Sequence, residues 1–182
     1  MIAYNKQSGT FTLHTKHTTY QLAVHPTGVV QHVYYGPRLR DGCDLTGLLR
    51  YADRGFSPNP DEAGTDRTFS LDTTPQEYST CGVGDFRLPS IEFELPSGSH
   101  TADLRYVRSR IWRGKYALEG LPAFFGGTEE WETLCVVLRD DAAQVEAELL
   151  YGVLEEYDLI TRSVLVLSLI HISEPTRRRG IS

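Results

Sequence analysis

VEAELLYGVLEEYDLI, residues 145–160, is the stretch whose reading decides the fold. Val145, Ala147, Leu149, Tyr151 and Val153 fall on one side of an extended chain, and Glu146 and Glu148 fall on the other. Successive side chains of a strand point to opposite faces, so this alternation puts an apolar row on a core and an acidic row outward. Half-buried antiparallel strands read in this way.

The same period recurs outward from that stretch. Phe11 and Leu13 share a face, as do Tyr20, Leu22 and Val24, and VVQHVYY follows a His-Pro-Thr-Gly turn signal. Further runs are IEFEL at 91–95, DLRYVRSRIW at 103–112 and TLCVVL at 133–138. PSGS at 96–99, RGK at 113–115, FGGTE at 125–129 and RDDA at 139–142 supply turn chemistry between them. EEWETLCVVL opens with charges, but its second half is β-branched and alternates, so no long helix is expected. The predicted class is all-β, an antiparallel β-sandwich. Irregular strand spacing disfavours a propeller or repeat array.

Residues 38–89 depart from the pattern. Connections beyond about 15 residues without secondary structure are uncommon in compact domains and are usually functional or disordered. Tyr51, Phe56, Phe69, Tyr78 and Phe86 give this one aromatic surface to pack with, which favours an ordered segment.

Composition narrows the partners. A length of 182 residues with 40% hydrophobic and 23% charged side chains suits a globular chain of one domain, or of one and a fraction. A net charge of −6 argues against nucleic acid and anionic membrane, because phosphate binding needs a clustered basic surface. Cys43, Cys81 and Cys135 form neither a disulfide framework nor a CxxC knuckle. The start MIAYNKQSG lacks a basic segment followed by an apolar one, and a cytoplasmic protein is expected.

Metal and ligand motifs are weak. His14 and His17, three apart on a strand, face opposite sides and cannot both chelate unless a turn intervenes. The acids of NPDEAGTD miss the calcium-loop spacing. Neither metal nor cofactor is expected. By the alternation of 103–112, Arg108 and Arg110 share a face with Tyr106 and Trp112, an exposed or ion-paired face before a ligand cleft. Glu77, Asp85, Gly82, Gly84, Pro58 and Pro60 read as structural, with Glu77 and Asp85 capping turns or binding arginines such as Arg87.

At the end of the chain, VLVLSLIHIS has an apolar part only about nine residues long, interrupted by serine and histidine, where a membrane helix needs about twenty. LSLIHISEPTR, Leu167 to Arg177, resembles a translated transposon-end sequencing adapter. Residues 1–164 are therefore expected to be the natural domain, incomplete at its C-terminal end, and residues 165–182 a non-native tail.

FSPNP, DRTFSLDTTPQEYSTCGVGDFRLP, DLRYVRSRIWRGK, LEGLPAFF, TLCVVLRD and LITRSV, in this order, resemble the amino-terminal domain of bacterial α-galactosidases of glycoside hydrolase family 36. The match runs from about Ile2 to Val164. It implies a β-supersandwich domain followed, in the family, by a (β/α)8 barrel and a smaller β domain. It also implies hydrolysis of terminal α-galactosyl residues of melibiose- and raffinose-type oligosaccharides with retention. That chemistry uses two carboxyl groups about 5–5.5 Å apart. In the family both are barrel aspartates, so this chain is expected to carry none of the catalytic residues and to be inactive alone.

The resemblance implies a share in substrate recognition instead. A loop of the family's amino-terminal domain reaches the galactose pocket, in tetrameric members from a neighbouring subunit. Asp53, Phe56 and Arg67 occupy the matching positions. An ionised Asp accepts from two neighbouring sugar hydroxyls, Arg offers a rigid donor fork, and an aromatic ring covers the apolar side of a sugar. By composition alone, Asp53 and Arg67 would be an ordinary surface ion pair. The competing reading of the whole chain is a stand-alone carbohydrate-binding or β-sandwich interaction module displaying Tyr106 and Trp112.

Overall fold

A computed structural model of the chain describes residues 1–53, 59–122 and 128–169. Phe56, Pro58, the first residues of the 125–129 turn and the tail from 170 onward lie outside the described residues.

Among the described residues, eight strands form two antiparallel four-stranded meanders. The first sheet contains β1 (Ile2–Asn5), β2 (Thr10–His14), β3 (Thr18–Val24) and β4 (Val30–Pro37), paired in chain order. The second contains β5 (Arg105–Arg113), β6 (Trp131–Asp140), β7 (Val145–Leu154) and β8 (Leu159–Ser168), again in chain order. Single 3₁₀ turns are the helical structure among the described residues.

The core lies between the sheets. Phe11, Leu13, Tyr20, Leu22 and Val30 of the first sheet share one buried cluster with Leu134, Val136, Leu138, Ala147, Leu149, Tyr151 and Val153 of the second. The alternation of 145–153 therefore points as the sequence indicates. Each buried Leu, Val or Phe contributes about 1.5–3 kcal/mol over exposure, which is what holds the two sheets face to face.

Three local differences from the sequence reading have physical causes. The run 145–160 is two strands, because Glu155–Tyr157 form a 3₁₀ turn closed by Asp158 in left-handed backbone (φ 52°). IEFEL keeps its alternating burial, with Phe93 and Leu95 on the core, but forms no regular strand. Its end is spent in a turn, where Leu95 N donates to Ser99 O at 2.8 Å. The register of β5 against β6 shifts between Tyr106 and Arg108. Tyr106 pairs with core-facing Leu138, whereas Arg108, Arg110 and Trp112 pair with Val137, Cys135 and Thr133 on the outer face. The bulge thus breaks the shared face expected for Tyr106 and Trp112.

Residues 38–104 connect the sheets with short 3₁₀ turns as their only regular structure among the described residues. This connection is packed down rather than loose. Phe69 and Leu71 are buried with Val29, and Glu77 N donates to Val30 O at 2.9 Å. His32 N donates to Pro75 O at 2.7 Å, so residues 75–77 run beside the start of β4.

Candidate functional site: an acid–base pair on a pinned loop

Tyr51 and Phe69 mark the neck of the segment that carries Asp53 and Arg67. Phe69 is 1% exposed, and its ring stacks on His25 with centroids 4.0 Å apart and planes 12° off parallel. Tyr51 leans on both, 5.8 Å from His25 and 5.9 Å from Phe69. Its hydroxyl donates to Gln31 Oε1 at 3.0 Å. His25 sits in the β3–β4 turn, its N donating to Val29 O at 2.8 Å and its Nδ1 within 2.9 Å of Thr27 Oγ1. Burial pushes the His25 imidazole down in pKa; Arg105 adds to this and Asp66 opposes it. A neutral ring suits a stack between two aromatics.

The returning half is fixed by local hydrogen bonds. Asp66 Oδ1 accepts from Thr68 N at 2.8 Å and Thr68 Oγ1 at 2.7 Å, and these bonds hold its carboxyl below the usual range. Asp66 is thereby a turn former, which is what Asp does best in loops. Asn59 Nδ2 donates to Phe69 O at 2.6 Å, tying the two halves together.

Between these anchors Asp53 and Arg67 converge, with Arg67 Nε 3.6 Å from Asp53 Oδ2. The side chains are 52% and 63% exposed, open enough to meet a ligand. That separation is too long for a hydrogen bond, and exposed ion pairs contribute about 0–1 kcal/mol. The pair by itself therefore adds little to stability.

A second polar cluster was not visible in the sequence. Glu77 is buried, with 1% of its side chain exposed. Its carboxylate accepts from Tyr20 and Tyr151 hydroxyls at 2.7 Å and from Arg162 Nη2 at 2.5 Å, with His32 Nδ1 at 3.5 Å. Burial pushes the carboxyl upward, but the donors from His32, Arg162, Tyr20 and Tyr151 outweigh it and hold Glu77 below its ordinary pKa. The partner of Glu77 is thus Arg162 across the sandwich, not Arg87, which instead binds Asp85 at 2.8 Å as expected. No signal in the sequence links positions 20, 32, 77, 151 and 162.

The remaining candidates resolve into structural roles. A turn does intervene between His14 and His17: His14 is buried with Nδ1 2.8 Å from Thr19 Oγ1, and His17 pairs with Asp158 at 2.6 Å. Among the described residues no three His, Cys, Asp or Glu side chains converge as for a metal ion. Arg108 pairs with Glu146 at 2.8 Å, and Arg110 lies over the Trp112 ring at 4.8 Å.

Known proteins place the domain. The model of the glycosyl hydrolase family 36 N-terminal domain matches residues 28–169. The bifunctional α-galactosidase/sucrose kinase AgaSK of Mediterraneibacter gnavus is 51% identical over 165 residues, 91% of this chain and 17% of that protein. The solved galactosidase domain of AgaSK superposes with TM-score 0.88 at 49% identity, over 92% of this chain and 23% of that one. The α-galactosidase AgaA of Geobacillus stearothermophilus, solved in complex with raffinose, superposes with TM-score 0.79 at 41% identity, over 87% of this chain and 22% of that one. The chain thus spans about a fifth of the length of the relatives it matches. With its two meandering sheets and these matches, the chain belongs to the glycosyl hydrolase family 36 N-terminal domains.

Proposed function

We propose that the chain serves as the amino-terminal, substrate-recognising domain of an α-galactosidase that cleaves terminal α-D-galactosyl residues of melibiose- and raffinose-type oligosaccharides with retention. Asp53 and Arg67 meet the hydroxyls of the galactosyl unit, and Phe56 covers its apolar side. The catalytic aspartates belong to the (β/α)8 barrel of the longer protein, so residues 1–182 alone turn nothing over. The working enzyme is a cytoplasmic homo-tetramer in which this domain also makes subunit contacts. Residues 1–164 form the natural part of the domain, and 165–182 are an adapter-derived tail whose first residues, 165–168, prolong β8 against β7.

The observation that carries this reading is the convergence of Asp53 and Arg67, exposed, on a loop pinned at both ends. A carboxylate beside a guanidinium presents acceptors and donors together, and a site built to bond a hydroxyl discriminates strongly against a sugar that misplaces it. The separation of Tyr106 from Trp112 by the β5 bulge removes the aromatic face on which a stand-alone binding module would rely.

The test joins this chain to the catalytic barrel of a family relative so that the hybrid turns over raffinose. Asp53→Ala is expected to raise KM for raffinose by about tenfold or more, the cost of losing a charged hydrogen-bond acceptor. An unchanged KM would remove Asp53 from the binding site.

A further inference from the structure

We infer that the His25–Tyr51–Phe69 aromatic stack is a positioning device for the Asp53–Arg67 pair, with Tyr51 as the residue through which it acts. This rests on the proposed role of that pair in galactoside binding and extends it to residues that touch no sugar. Tyr51 lies two residues before Asp53, and Phe69 lies two residues after Arg67. The stack therefore holds the two backbone segments from which the pair projects.

The ion pair cannot close this loop unaided. Bringing residues 53 and 67 together has a loop-closure cost that a solvent-exposed pair at 3.6 Å does not match. Both halves of the neck are instead tied to one hairpin, β3–β4. Phe69 is stacked on His25 of its turn, and the Tyr51 hydroxyl reaches Gln31 at 3.0 Å on β4. Gln31 is 2% exposed and bridges to Gln76, so it is a fixed post rather than a mobile surface amide. On the Arg67 side, the Asp66–Thr68 turn and the Asn59 bond to Phe69 O remove further freedom from the backbone.

Such a neck is a pre-organising element. It fixes where the backbone of Asp53 and Arg67 stands while their side chains stay more than half exposed, which lowers the ordering cost at the moment a ligand binds. Tyr51 is the informative member because it is 37% exposed and outside the inter-sheet core, whereas Phe69 is a core residue. Removing the Tyr51 ring should loosen the pair without undoing the sandwich.

The experiment is a double-mutant cycle in the active hybrid with the relative's barrel. Tyr51→Ala is expected to raise KM for raffinose about three- to tenfold with kcat within about twofold. Tyr51→Phe keeps the ring but loses the bond to Gln31, and is expected to raise KM by less than Tyr51→Ala does. In an Asp53→Ala background, Tyr51→Ala should add less than about twofold, because a positioning residue has nothing left to position. The same multiplicative loss in both backgrounds, or an unchanged KM for Tyr51→Ala, overturns the inference. If Asp53→Ala itself leaves KM unchanged, the binding-site reading fails; if it raises KM while Tyr51→Ala does not, only the positioning role fails. Should Tyr51→Ala not fold, Tyr51→Leu keeps apolar volume without the ring plane and carries the same cycle.

Discussion

Glu77 shows most clearly what a single residue does here. Its carboxylate accepts from Tyr20 of the first sheet and from Tyr151 and Arg162 of the second, so it fastens the two sheets and the long connection at one point. Glu77→Gln replaces an acceptor for several donors with an amide and leaves Arg162 without its charge partner. The expected cost is about 2–3 kcal/mol, below that of a fully buried pair because Arg162 is 51% exposed. Urea denaturation at neutral pH checks this. Its folded-state pKa lies below the ordinary 4.5, so its contribution is complete above that pH and lost as pH falls through the folded value. The variant should therefore lose less stability than the parent on acidification below about pH 4.5. A parallel acid limb in the two proteins would assign the loss to other carboxylates. Sequence patterns could name Glu77 as structural, but its partners lie 57, 74 and 85 positions away, a separation that no local rule reaches. Asp53 and Arg67 are singled out for a different reason: a family pattern marks them for the proposed site, while their residue types alone mark only a surface pair.

At the scale of elements, period-two alternation identified β2 to β7 and their inward faces, because it follows directly from strand geometry. It failed where backbone irregularity intervened. The β5 bulge shifted every side chain from Arg108 onward to the other face. The 155–158 turn was hidden because Glu-Glu-Tyr-Asp lacks glycine and proline, and Asp158 takes the left-handed conformation itself. IEFEL alternates in burial without a strand partner, so alternation reports half-burial rather than hydrogen bonding. The glycines of the connection were read correctly as structural. Gly82 has φ +87°, and a Cβ there would stand 2.2 Å from Thr101 Oγ1 and 2.8 Å from Thr101 Cβ. Gly82→Ala is expected to cost about 2–3 kcal/mol through strain and overlap, read as a lowered Tm in calorimetry. A melting temperature equal to the parent's would mean that residues 80–82 and 101–102 separate freely.

For the whole molecule, the two meanders share one core, and the connection between them lends Tyr78 and Phe93 to that core and Tyr51 and Phe69 to a neck. Tyr51 and Phe69 were visible in the sequence as packing surface; that they close on His25 was not, because His25 sits in a hairpin turn far upstream. The outcome is a two-sheet sandwich that carries an exposed acidic–basic pair on the connection between its sheets. A crystal structure of the chain joined to a relative's barrel, with galactose bound, tests this most directly. The account predicts an Asp53 carboxylate oxygen within about 3 Å of a galactose hydroxyl and the Arg67 guanidinium against the same sugar. A fully ordered galactose with every hydroxyl bonded by barrel residues, and Asp53 and Arg67 turned to solvent, would contradict it.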